Sequence, residues 1–244
     1  MWAGAAAVAV LVAGVLLSWE YFRFWWRFES LGKNAQGYRE YKHKETGIVF
    51  VRVPGGKFLM GAQNTDPSAP NYDPDASYYE GPVHAVILSP FLMAKYEVSR
   101  VEWRKTIGSD PFGAGGDARV PQGEVTWDGC KEFCTRTGFV LPTEAQWEHA
   151  CRLGTAGPDI GREALDEVAW HAKNSGSGGG VHPIGKKKAN GLGLHDLQGN
   201  MWEWCEDFLD VEFYSKPEAR RSDPVATSGY EYRVVRGGSW RVSA

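Results

Sequence analysis

The sequence lacks the patterns that mark the commonest metal, catalytic and nucleic-acid sites. Its four cysteines form no CxxC pair, so no zinc-type ligand pattern is present. Its six histidines are scattered, without HExxH or catalytic-triad spacing. The net charge of −3 gives no global basic field, and the short lysine run at residues 186–188 is typical of a solvated loop. We therefore expect no nucleic-acid partner.

The cysteines that are present favour burial over bridging. Cys130 and Cys134 are four residues apart and would share one face of a helix. Cysteine is often buried as a small hydrophobic residue. We expect these thiols, and those of Cys151 and Cys205, to be free, and consider a disulfide the less favoured alternative.

Tryptophan and glycine are abundant, with 11 and 30 residues in a chain of 244. Together they indicate a domain of irregular loops fixed by large aromatic side chains, and not a helix bundle. The hydrophobic content of 43% and charged content of 23% are ordinary for a globular protein. Disorder is therefore not expected.

Residues 2–19 form an uncharged run of 18 residues. As a helix this run would be about 27 Å long, close to the hydrocarbon thickness of a bilayer. A belt of aromatic and cationic residues follows at once: Tyr21, Phe22, Arg23, Phe24, Trp25, Trp26 and Arg27. The run has no basic start or small-residue cleavage site, so we predict an uncleaved single-pass membrane anchor with its interface belt at residues 1–28. A buried core helix is the alternative.

The sequence does not decide on which side of the membrane the domain lies. Cationic residues after the run would place the domain in the cytoplasm by the positive-inside rule, but an upstream segment would change that count. Residues 29–46 are mostly polar, so we predict a linker there. We predict that residues 47–244 form the folded domain.

Short strands and capped helices alternate along this domain. A strand, a glycine turn and a second strand are predicted across residues 47–62, with further strands at 84–89 and 91–95. Ser99 with Glu102, and Thr143 with Gln146, form capping boxes that begin two helices. Thr126 caps a third helix, which ends at Gly138. The mixture predicts an irregular α+β domain.

An acidic loop at residues 64–81 contains Asp73-x-Asp75-x-Ser77, which is faintly similar to a calcium loop. It lacks the glycine and distal glutamate of an EF-hand. We therefore interpret it as a solvated loop.

Five segments carry the most distinctive residues of the domain. They are VPGGKFLMGA at 53–62, HAVILSPFLMAKYEVSRVEW at 84–103, VTWDGCKEFCTRTGFVLPTEAQWEHACRLGT at 125–155, GLGLHDLQGNMWEWCED at 191–207 and RVVRGGSW at 233–240. In order and spacing this set closely resembles the formylglycine-generating enzyme (sulfatase-modifying factor) family. The resemblance runs from residue 47 to the end of the chain, and LPTEAQWE with GNMWEW is its most specific part.

The resemblance implies an irregular fold related to the C-type lectin domain, placed here behind the predicted transmembrane helix. It also implies a copper- and oxygen-dependent oxidoreductase. The reaction would convert a cysteine of a sulfatase-type protein or peptide substrate to formylglycine.

The segment GLHDLQGNMWEW contains the candidate metal residues. Gly199 permits a tight turn that can bring the hard oxygen donors of Asp196 and Glu203 together, and backbone carbonyls could complete an oxygen cage for calcium. The resemblance implies a structural calcium ion held by these two side chains and by the carbonyls of Gly199 and Met201. The alternative is a metal-free turn in which Glu203 accepts hydrogen bonds from loop amides.

The family's catalytic cysteines are not found in this sequence. In active members a cysteine pair follows the RGGS motif, where two thiolates can bind Cu(I). The chain ends at Ala244, four residues after Trp240. We therefore expect a domain that is incomplete at its C-terminus, no catalytic residue within the chain, and copper only in a full-length active form.

Two functions of different classes remain. The first is a formylglycine-generating oxidase, active in its full-length form. The second is a non-catalytic, membrane-tethered binding module of the same fold, which would present its loops to a peptide or a glycan.

Overall fold

A computed structural model describes residues 24–109, 117–152, 162–176 and 180–242. The predicted anchor at residues 2–19 lies outside these ranges. Within them, no helix combines the length and the apolar character needed to cross a bilayer.

The described chain is a mixed α/β domain. Its strands are β1 (Phe28–Lys33), β2 (Arg39–His43), β3 (Val49–Val53), β4 (Gly56–Met60), β5 (His84–Leu88), β6 (Phe91–Ala94), β7 (Glu203–Phe208) and β8 (Arg233–Arg236). Its α-helices are α1 (Arg100–Ile107), α2 (Trp127–Thr137), α3 (Glu144–Arg152) and α4 (Arg162–Val168). Short 3₁₀ turns lie at Tyr78–Glu80, Phe213–Ser215 and Pro217–Arg220.

The largest sheet has the strand order β1-β2-β3-β6, and all its pairings are antiparallel. Residues 29–46 therefore do not form a linker, because β1 and β2 belong to this sheet. Strand β1 lies at the sheet edge, and five of its six residues are exposed. That exposure explains why the segment has a linker-like polar composition.

The two strands predicted around Pro54-Gly55-Gly56 exist, but they do not form a hairpin. Strand β3 pairs with β2 and β6, whereas β4 pairs with β5 in a separate two-stranded sheet. A Cβ atom on Gly55 would lie 2.3 Å from the carbonyl oxygen of Leu88. The glycine therefore allows the chain to pass close to another backbone on its way to the second sheet.

The three predicted helix starts are confirmed. The backbone N–H of Ser99 donates to Glu102 Oε2 at 2.8 Å, which is half of a capping box. The hydroxyl of Thr126 accepts from Gly129 N at 3.1 Å. Gly138 ends α2 with a φ of 69°, a left-handed conformation that glycine adopts without strain.

Strand β3 contributes side chains to two parts of the core, although Arg52 is exposed. Val51 and Val53 pack with Leu192, Leu194, Leu197 and Trp147 on one face. Phe50 packs with Trp103 and Phe133 of α1 and α2 on the other face. The first of these clusters holds the ends of the segment 192–205, which contains the candidate metal residues.

Candidate functional site

The loop from Asp196 to Glu203 is fixed by a buried asparagine. Asn200 is fully buried and has a φ of 63°. Its side-chain Oδ1 accepts from His182 N at 2.9 Å, and its Nδ2 donates to His182 O at 3.1 Å. A Cβ atom on Gly199 would lie 2.3 Å from the carbonyl oxygen of Trp170. The loop therefore needs glycine at 199 because of close backbone packing.

The two predicted carboxylate ligands lie at the two ends of this loop. Asp196 is buried, its Oδ2 accepts from Gly185 N at 2.6 Å, and its Oδ1 is buried without a hydrogen-bond partner. Glu203 is the first residue of β7, and its Oε2 accepts from Trp147 Nε1 at 2.9 Å. The orphaned Asp196 oxygen is the feature that a bound cation would satisfy.

Burial raises the pKa of both acids. The pKa of Asp196 is raised mainly by desolvation. Desolvation raises the pKa of Glu203 to about 7, and the negative charge of Asp196 contributes to the same shift. An isolated buried carboxylate is costly, and a divalent cation between the two would remove that cost.

The remaining members of the predicted site, Gly199 and Met201, lie in the same loop. The Gly199 carbonyl accepts from Met201 N at 2.8 Å. In the described ranges, no group of three or more His, Cys, Asp or Glu side chains has an arrangement that could hold a metal ion. The metal site predicted from the sequence differs from such a group, because it has only two carboxylate side chains and takes its other two ligands from backbone carbonyls. These donors suit a hard cation such as calcium.

Glu97 also contacts this loop, although the sequence analysis did not identify it. It lies between β6 and α1 and reaches the loop from 103 residues away in the sequence. Its Oε2 accepts from Asn200 Nδ2 at 2.7 Å, and its Oε1 accepts from Met201 N at 3.0 Å. Its neighbours in the sequence gave no signal, because the contact depends on how distant segments pack.

A second polar cluster joins the two most distinctive motifs. Arg236 of RVVRGGSW lies beside Glu144 and Glu148 of LPTEAQWE, with N–O distances of 3.7 and 2.7 Å. Glu148 Oε1 also accepts from Arg152 Nε and from Gly61 N, both at 2.8 Å. The cluster crosses from α3 to β8 and is largely buried. The cluster therefore has a structural role: it holds α3 against β8.

Two cavities meet at Trp202, the residue before β7. One has a volume of about 670 Å³ and is mainly apolar, with walls that include Phe50, Leu92 and Trp103. The other has a volume of about 330 Å³ and is more polar, with Asp73 among its lining residues. Trp202 and Val235 line both cavities and are 47% and 39% exposed. They form a wall that the two cavities share, and we call the two cavities with this shared wall the Trp202 groove.

The four thiols are free, as predicted. Burial raises the pKa of Cys130 to about 12, of Cys134 to about 11 and of Cys151 to about 12. Burial also raises the pKa of Cys205 well above its usual range. Cu(I) requires thiolate ligands. The cysteines of this chain therefore do not fit a copper site.

Comparisons with known proteins agree with the motif pattern. The family model described as sulfatase-modifying factor enzyme 1-like domain matches residues 36–244. The chain is 29% identical to the formylglycine-generating enzyme of Thermomonospora curvata over 263 aligned positions, which cover 81% of this chain and 84% of that protein. It is 28% identical to the chaperone protein LppX of Paenibacillus barcinonensis over 212 positions, which cover 64% and 71% of the two chains.

A solved structure supports the fold. Treponema denticola variable protein 1 superposes with a TM-score of 0.63 at 23% identity, covering 83% of this chain and 88% of that one. At this identity the likeness concerns the fold alone.

Proposed function

We propose that this chain, which belongs to the sulfatase-modifying factor enzyme 1-like family, binds an extended polypeptide in the Trp202 groove. The polypeptide would be a segment of the sulfatase type. Oxidation of a cysteine in that segment to formylglycine is the reaction that the family makes the first candidate. The activity would belong to a full-length form that carries a pair of reactive thiols.

The observation that carries the polypeptide proposal is the position of the groove beside a free strand edge. Within the described chain, β8 pairs with β7 alone, so its other edge has no strand partner. Edge strands present unpaired N–H and C=O groups, which an extended peptide can bind by adding a strand. Val235 lies on β8, and Trp202 lies beside it as an exposed aromatic anchor. A peptide lying there would reach both cavities.

A specific observation favours the second candidate, a non-catalytic binding module. All four thiols in this sequence have raised pKa values, so none provides the thiolate that the oxidation needs. The relative from Paenibacillus barcinonensis is named a chaperone, and a chaperone binds polypeptides without changing their covalent structure. This candidate uses the same groove and differs from the first only in the chemistry.

We further propose that the loop at residues 196–203 holds a structural calcium ion. The side chains of Asp196 and Glu203 and the carbonyls of Gly199 and Met201 would provide its oxygen ligands. The support is the unpartnered Asp196 Oδ1 and the burial of both acids. When bound, calcium supplies positive charge and rigidity to the loop that positions Trp202.

The membrane tether also remains a proposal. The uncharged run at residues 2–19 would anchor the chain, and the exposed Trp25 and Trp26 directly follow it. Alkaline carbonate washing of membranes tests this proposal. Recovery of the protein in the supernatant would contradict it.

Binding of a labelled peptide that carries the sulfatase cysteine motif tests the main proposal, with fluorescence anisotropy as the readout. Removing a tryptophan anchor typically costs about 2 kcal/mol or more, so Trp202→Ala should weaken binding at least tenfold. Trp26→Ala is the matched control, because Trp26 is 73% exposed and does not line the groove. The absence of wild-type binding, or equal losses in both variants, would contradict the proposal.

A further inference from the structure

Glu97 ties the metal-binding loop to a distant part of the chain. Its two carboxylate oxygens accept from Asn200 Nδ2 at 2.7 Å and from Met201 N at 3.0 Å. Asn200 is the fully buried residue that fixes the loop, and Met201 provides one of the proposed carbonyl ligands. A change at Glu97 would therefore alter the orientation of the backbone at the ligand positions.

Glu97 also lies near the two proposed side-chain ligands. The carboxyl groups of Glu97, Glu203 and Asp196 are close enough to interact electrostatically. In the described part of the chain, none of them forms an ion pair with a lysine or an arginine.

The loop also contains one unsatisfied oxygen. Asp196 Oδ1 is buried and has no hydrogen-bond partner, so it provides an open coordination position. Both oxygens of Glu97 accept hydrogen bonds from the loop, so we assign Glu97 a positioning role and leave the side-chain ligand roles to Asp196 and Glu203.

We infer that Glu97 is a positioning residue for a divalent cation in the 196–203 loop, where its two hydrogen bonds orient Asn200 and Met201. This inference rests on the proposed calcium site. Residues that orient ligands from outside the coordination sphere typically contribute about 10- to 100-fold to metal affinity.

The test is cation binding by the full 244-residue chain, and it does not depend on catalysis. Calcium affinity is measured by calorimetry after removal of bound metal. Terbium affinity is measured by luminescence, which Trp147 can sensitise because it donates to Glu203. Glu97→Gln should weaken calcium binding about 10- to 100-fold. Terbium prefers the same oxygen ligands, so its affinity should fall by a similar factor.

Asp207→Asn is the matched control for loss of a buried carboxylate. Asp207 is 2% exposed and accepts from the backbone N–H groups of Glu144 and Ala226, both at 2.8 Å. Its hydrogen bonding is thus similar to that of Glu97, but it does not contact the loop. This variant should lower stability and leave both cation affinities unchanged.

The outcomes distinguish the proposed calcium site from the positioning role of Glu97. If the wild type binds neither cation, the calcium site is wrong and this inference falls with it. If the wild type binds and Glu97→Gln has unchanged affinities, the calcium site stands and the inference is overturned. If Glu97→Gln does not fold, Glu97→Asp replaces it. That variant keeps the charge and displaces the loop, so both affinities should fall by a similar factor, and no fall would overturn the inference.

Discussion

Arg236 Nη2 donates to Glu148 Oε2 at 2.7 Å, which joins two residues that are 88 positions apart in the sequence. Glu148 is 3% exposed and Arg236 is 24% exposed, so the pair is shielded from water. Glu144 lies beside the same guanidinium. The contact joins LPTEAQWE to RVVRGGSW, and each motif compensates the charge that the other buries.

Removing the guanidinium should therefore be strongly destabilising. Arg236→Met leaves the carboxylate of Glu144 without its cationic partner and leaves Glu148 paired with Arg152 alone. Breaking a buried pair in this way costs about 3–5 kcal/mol. The free energy of unfolding in urea measures the loss. Arg221→Met is the control, because the Arg221–Glu218 pair is 71% and 48% exposed and such pairs contribute about 0–1 kcal/mol. Similar losses in the two variants would contradict a structural role for the Arg236 cluster.

Gly199→Ala should also destabilise the domain. A methyl group at this position would collide with the backbone of Trp170, with 2.3 Å to its carbonyl oxygen. The loop would have to move, and we expect a loss of about 2 kcal/mol or more in the free energy of unfolding. Gly180→Ala is the matched control, because a Cβ atom there meets nothing within 4 Å. A stability of Gly199→Ala equal to that of the control would show that the loop is not closely packed.

Acid should weaken the fold through buried histidines. His149 Nε2 contacts the Pro54 carbonyl at 3.0 Å, its Nδ1 is buried without a partner, and desolvation lowers its pKa. The unfolded chain then binds a proton more readily than the folded chain. The contribution of His149 is fully present above the usual histidine pKa of about 6.5, and it is lost as the pH falls from that value through the lowered pKa of the folded chain.

Replacing His149 isolates its contribution. Burial raises the pKa of Glu144 to about 7, which gives the opposite pH dependence, so the wild type must be compared with a variant. Between pH 7 and 5.5, His149→Gln should reduce the slope of stability against pH by up to about 1.4 kcal/mol per pH unit. Urea unfolding at several pH values measures the slope. Parallel curves for the two proteins would contradict the assignment.

Calcium should raise the melting temperature. A ligand at 100 times its Kd stabilises the native state by about 2.7 kcal/mol, or about 5–10 °C for a domain of this size. Asp196→Asn should abolish this shift. Asp73→Asn tests the other calcium-like segment and should leave the shift unchanged. If calcium has no effect on the wild type, or if the Asp73 variant alone loses the effect, the site is misplaced.

Local features of the fold were predictable from the sequence, whereas its long-range contacts were not. The caps at Ser99, Thr126 and Thr143 depend on residues within one turn, so the pattern identified them. Strand β1 was mistaken for a linker, because an exposed edge strand has the composition of one. Strand β2 lies inside the sheet and was missed because two of its three buried residues, Glu40 and His43, are polar. The partner of β4 was missed, because pairing with β5 depends on close packing at Gly55.

The residues of the candidate site divide in the same way, into neighbours in the sequence that were predictable and distant residues that were not. Asp196, Gly199, Met201 and Glu203 lie within eight residues of sequence, and the structure places them in one loop. Glu97 was not identifiable, because its contacts with Asn200 and Met201 cross more than 100 residues. The Trp202 groove was also not predictable, since its walls come from strands and helices that only the fold brings together.

Mass spectrometry of the bound peptide tests most directly the claim that this chain recognises a polypeptide without using its own cysteines. The 244-residue chain is incubated with the cysteine peptide, Cu(I) and oxygen. The bound peptide is then recovered, and its mass is measured. Because burial raises the pKa of all four thiols, the account predicts bound peptide with its cysteine unchanged. Catalytic conversion of that cysteine to the aldehyde, lost in Cys205→Ser, would contradict it.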